Sequence, residues 1–166
     1  WQRLFAACAG ALLGLALLKF GNPVIFDRLI PPPSTIWEIV YQPWPISWGY
    51  WLLGGLILLS LKIARYPVRV PRSILAAPVL WLGWQGLAAF HPSGPELTRA
   101  TLLHFGSCVI WFYLGAFALT PARRTALFSV CLLTAFVLVL WLGFQQHYGG
   151  LEATRRYFYE QPNWRE

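Results

Sequence analysis

Three histidines, His91, His104 and His147, and an acid beside two guanidinium groups, Glu152 with Arg155 and Arg156, are the residues whose types suit chemistry in this chain. Imidazole can ligate a metal or carry a proton, and neighbouring arginines hold phosphate or carboxylate oxygens through charge-assisted hydrogen bonds. The spacing speaks against a metal centre. The histidines stand 13 and 43 residues apart with no paired Cys or carboxylate between them, whereas zinc ligands come as closely spaced pairs. Cys8, Cys108 and Cys131 share no CxxC spacing and fall in apolar stretches, where they read as small packing residues. No nucleophile elbow, Gly-rich phosphate loop or pair of carboxylates within an apolar stretch occurs, so the catalytic residues stay unknown. His104, about one turn into an apolar segment, has the form of an axial ligand to a haem or a chlorophyll magnesium. A hydrogen bond to a neighbouring helix is its plainer role.

The elements that must position these residues are apolar. The chain is 57% hydrophobic and only 11% charged, where soluble domains carry about a quarter charged residues. Five stretches, 4–20, 46–61, 74–90, 100–119 and 126–144, hold a single fixed charge, Lys19, at the edge of the first. Each approaches the roughly 20 residues that a helix needs to cross the hydrocarbon. Numbering the gaps alternately places Arg3, Lys62, Arg65, Arg69, Arg72, Arg123 and Arg124 on one side with no acid, a formal +7. The other side holds Lys19, Arg28, Arg99, Arg155, Arg156 and Arg165 against Asp27, Glu38, Glu96, Glu152, Glu160 and Glu166, a formal zero. Since cations flanking spans stay in the cytoplasm, the expectation is an all-α integral membrane protein of five transmembrane helices, N-terminus cytoplasmic and C-terminus outside. Residues 1–166 then form one transmembrane domain whose partners are the bilayer and other membrane helices or subunits. The same placement of cations in short loops explains the net charge of +7 without nucleic acid.

The first stretch starts basic, as a signal peptide does, but lacks a small-residue cleavage pattern and is followed by four more spans; it reads as a retained helix. Ala6, Gly10 and Gly14 leave a smooth stripe on it, which predicts a close helical neighbour. In the connection 21–45, Thr35 and Glu38 have the spacing of a capping box, predicting a short helix over 36–41. With Ile36, Trp37, Ile39, Val40 and Tyr41, that helix belongs in the headgroup layer, and Trp44, Trp48 and Trp51 continue an aromatic belt. Pro78 sits inside the third stretch. The short connections 91–99 and 120–124 predict that the third, fourth and fifth helices are sequential antiparallel neighbours. A chain opening at Trp1 and stopping at Arg165 and Glu166 reads as a piece of a longer protein.

The run Trp141, Leu142, Gly143, Phe144, Gln145, Gln146, His147, Tyr148, Gly149, Gly150, Leu151, Glu152, Ala153, Thr154, Arg155, Arg156 takes a span out through a Gly-rich exit into a Leu-Glu-x-Thr-Arg segment. Together with Phe20, Gly21, Asn22, Pro23 and the 44–50 approach to the second span, it resembles the N-terminal helices of the bacterial O-antigen ligase and polymerase family. The resemblance implies transfer or polymerisation of a polyprenyl-diphosphate-linked glycan at the outer face of the bacterial inner membrane, with no metal or nucleotide. It implies that Arg155, Arg156, Glu152 and His147 lie near the carrier's diphosphate, the catalytic residues coming from later helices and an outer loop. A non-enzymatic accessory subunit of a larger membrane complex, holding a haem or chlorophyll-type cofactor through His104, is the alternative expectation.

Overall fold

Lipid offers backbone N–H and C=O groups no partner, so an apolar stretch must satisfy them within itself, as a helix. The computed structural model describes residues 1–21, 30–64, 70–90, 95–119 and 125–150, and every element in them is helical. The helices are α1 (Gln2–Phe20), α2 (Ile36–Tyr41), α3 (Ile46–Leu61), α4 (Arg72–Ala88), α5 (Pro95–Leu114) and α6 (Thr125–Gln145). A π-helical turn, Gly115–Leu119, prolongs α5, and another, Gln146–Gly150, prolongs α6. Among the described residues three helices are long and apolar enough to cross a membrane: Gln2–Phe20, Pro95–Leu119 and Thr125–Gly149. α3 is apolar but has 16 residues, and α4 has 17 with Pro78 inside. The structure thus supports a membrane protein with three spanning candidates among the described residues.

The small-residue stripe on α1 finds its neighbour in α6. Ala6, Gly10 and Gly14 are all buried. A Cβ added at Gly10 would run into the backbone carbonyl of Phe128, and one at Gly14 would come within 2.5 Å of the Leu132 carbonyl oxygen. The two backbones lie this close because neither glycine carries a side chain, and dispersion then holds the pair where no hydrophobic drive exists. Contacts advance together along both chains, so α1 and α6 run in the same direction. This corrects one expectation. The short 120–124 connection suggests that α6 pairs with α5, whereas α6 lies along α1, the helix with the smoothest face.

Phe5 and Ala9 of α1, Leu53, Leu56 and Ile63 at α3, and Leu114 and Ala118 at the end of α5 form the buried core. Its apolar residues gather toward the end of the bundle that carries Arg3 and Lys62, where the Lys62 ammonium sits 4.5 Å from the centre of the Trp1 ring. α4 buries none of its residues. It is held to α5 by Trp81 edge-on to Phe105 at 4.8 Å and by the Tyr113 hydroxyl, which donates to the Leu75 carbonyl. These contacts make α4 and α5 antiparallel, as their short connection predicts. Two of the cysteines depart from the packing role: Cys8 and Cys108 are exposed and Cys131 half-buried.

Candidate functional site

The end of the bundle opposite Arg3 and Lys62 is built around Lys19. Thr35 starts α2 with the capping box its spacing predicts: the Thr35 hydroxyl accepts from the Glu38 amide, and the Glu38 carboxylate accepts from the Thr35 amide. Glu38 also accepts from the Ser34 amide at 2.6 Å and the Ser34 hydroxyl at 2.9 Å. These Ser34 bonds, followed by those from Thr35, hold the Glu38 carboxyl below its ordinary range. Six residues are too few for an independent helix in water, so α2 needs docking. Lys19 supplies it, because its ammonium donates to the carbonyls of Ile39 at 2.7 Å, Val40 at 2.6 Å and Gln42 at 3.1 Å, groups that α2 leaves unpaired at its C-terminus.

The exchange is mutual. The Trp44 amide donates to the Lys19 carbonyl at 2.8 Å, satisfying an end group of α1, and the Trp44 indole donates to Ile39. The C-terminus of α2, the negative end of its dipole, therefore meets the Lys19 ammonium, while the C-terminus of α1 meets the Trp44 amide. The Trp44 ring lies 5.2 Å from that ammonium and packs against Phe20 and Trp48 at 6.0 and 5.8 Å. Lys19 is only 3% exposed. Read from the sequence as a charge at a span's edge, it is the residue that fixes α2 across the end of the bundle. Ile36, Trp37, Ile39, Val40, Trp48 and Trp51 remain exposed, an apolar and aromatic rim consistent with a bilayer interface.

Beside this platform α3 and α5 separate into an apolar groove of about 600 Å³. Tyr50, Thr98 and Arg99 stand at its mouth; Leu53, Ile57, Leu102 and Ile110 line its depth, with Gly54 and Gly106 as bare backbone along it. No atom lies within 4 Å of a Cβ built on either glycine, so the space above them is open. No motif announces this groove, because its walls are about 50 residues apart in the chain.

The residues singled out for chemistry do not assemble. Arg155, Arg156 and Glu152 lie outside the described residues, as does His91. His147 is on the π-helical turn after α6, exposed and edge-on to the Tyr148 ring at 4.8 Å, with Tyr148 stacked on Phe144. His104 lies on an exposed face of α5, and its backbone carbonyl accepts from the Ser107 hydroxyl at 2.6 Å. Since α1 and α6 run together and Phe20 touches Gly49, His147, Lys19, Arg99 and His104 belong to the same half of the bundle. Comparisons with protein-family models, with curated proteins and with solved structures find no match to this chain.

Proposed function

We propose that the chain is the N-terminal membrane part of a multi-pass protein of the bacterial inner membrane that transfers or polymerises a polyprenyl-diphosphate-linked glycan at the outer face. The observation that carries this reading is the platform at one end of the bundle, a short helix pinned by Lys19 with an aromatic rim; such a rim belongs at the headgroup layer, where on this reading a carrier's diphosphate would lie. His147 shares that end, and in the sequence Glu152, Arg155 and Arg156 follow it within nine residues. A departing diphosphate needs cations, and the acceptor hydroxyl needs a base.

Five crossings with a cytoplasmic N-terminus belong to the same proposal. The alternation of helix directions supports them, as does the division of charge among the described residues: Arg3, Lys62 and Arg72 lie at one end, and at the other Lys19 and Arg99 are balanced by Glu38 and Glu96. The experiment is the double variant Arg155→Ala with Arg156→Ala in the complete protein. A charge-assisted contact contributes about 1.5 to 3 kcal/mol, so glycan transfer should fall about tenfold to a hundredfold at an unchanged amount in the membrane. Full transfer by the variant would remove both arginines from the site. A complete protein with no transfer activity would turn the reading toward the accessory subunit.

A further inference from the structure

We propose that the groove between α3 and α5 holds one acyl chain of an anionic glycerophospholipid whose phosphate pairs with Arg99, a binding site independent of the glycan-transfer reading. The polarity of the groove is graded. Its one charged side chain, Arg99, stands at the mouth, and Thr98 and Tyr50 beside it already have partners of their own. Ser107, the polar side chain farther down, gives its hydroxyl to the His104 carbonyl of its own helix and makes no demand on an occupant. A ligand that satisfies these walls has an anionic head and a long apolar remainder, and a guanidinium matches a phosphodiester in both charge and geometry.

Length separates a lipid from a helix as the occupant. The lining begins on α5 at Pro95, and from Arg99, where the phosphate would pair, the groove runs a further eleven residues to Ile110, or about 16 Å at 1.5 Å per residue. That equals roughly half of a hydrocarbon core of about 30 Å, the depth of a single leaflet. Beyond Ile110 the packing closes, with Ile63, Leu114 and Ala118 buried together. A crossing helix would need a seat over the whole depth, whereas a lipid starts at the interface and ends at the midplane. Gly54 and Gly106 make the seat smooth: a side chain at either would occupy the chain's path.

The test uses the 166-residue chain, delipidated in detergent and titrated with phosphatidylglycerol or with zwitterionic phosphatidylethanolamine, read by native mass spectrometry. One phosphatidylglycerol per chain should bind, at least tenfold tighter than phosphatidylethanolamine. Arg99→Gln should remove about that factor. Gly106→Leu and, separately, Gly54→Leu should abolish the bound lipid while helix content and thermal midpoint hold, since both side chains point into open space. Gly83→Leu on α4, also in open space but outside the groove, should bind as the parent does. Equal binding of the two lipids, retention of phosphatidylglycerol by a well-folded Gly106→Leu or Gly54→Leu variant, or its displacement by a polyprenyl phosphate at equal concentration would each overturn the proposal.

Discussion

Replacing Lys19 by Met keeps an unbranched chain of similar length but removes the ammonium on which the C-terminal carbonyls of α2 converge. Three carbonyls lose their donor, those of Ile39, Val40 and Gln42. A hydrogen bond to a charged group contributes about 1.5 to 3 kcal/mol net. Three bonds to one ammonium are not additive, and water at the interface can reach some of the freed carbonyls, so a loss of about 3 kcal/mol is the reasoned figure. Because so short a helix has little stability of its own, nearly all of this should appear as local opening of α2. Amide hydrogen exchange in lipid nanodiscs reads it directly: the Ile39 and Gln42 amides, which donate to Thr35 and Glu38, should exchange roughly a hundredfold faster. α1 and α6 should be unaffected, and Lys62→Met, which removes the cation over Trp1 at the other end, should leave α2 as it was. An acceleration below threefold in the Lys19→Met variant would refute the pinning of α2 by this side chain.

Gly10→Ala should destabilise the bundle by about 1 to 3 kcal/mol through overpacking, since the added carbon meets the Phe128 carbonyl. Gly55→Ala, with open space around its added carbon, should be neutral or slightly stabilising; equal thermal midpoints for the two variants would show the α1 and α6 contact to be dispensable. Glu38 is a carboxyl held below its ordinary range, so its contribution is complete above the ordinary value and is lost as pH falls through the lowered one. Protection of α2 amides should therefore decline on acidification, and Glu38→Gln, which keeps the capping residue type, should flatten that dependence; an unchanged profile would detach the carboxylate from the cap. Cysteine at Ser34 should react with a membrane-impermeant reagent in intact cells and cysteine at Ser73 should not, the reverse pattern overturning the orientation.

Helix positions were legible because lipid leaves an apolar stretch only one backbone solution, and the start of α2 was legible because Thr35 and Glu38 stand three apart. The stripe of Ala6, Gly10 and Gly14 announced a close neighbour without naming it. Its identity depends on which other face is free, and loop length favoured α5 for a helix that in fact lies on α1. Lys19 was visible only as a charge at the edge of a span. Its partners are main-chain carbonyls 20 to 23 residues away, and a carbonyl has no residue type for a pattern to detect. The groove was hidden for a similar reason, its open floor being two glycines on helices with no link in the sequence. Arg155, Arg156 and Glu152, chosen for charge and spacing, fall outside the described residues.

The pairing of α1 with α6 bears on how the protein is made. The glycines of α1 are synthesised at positions 10 and 14, and the backbone they receive comes at Phe128 and Leu132, more than a hundred residues later. At a synthesis rate of about 5 to 20 residues per second, α1 spends roughly 6 to 24 s in the bilayer with its smooth flank against lipid or the insertion machinery. In that interval its other contacts must keep it upright: Phe5 and Ala9 in the core with α3, and the Lys19 clamp on α2. A ribosome that stalls before α6 would release a chain whose first helix still offers a glycine seam to any passing helix, so α6, once completed, acts as the lock on α1.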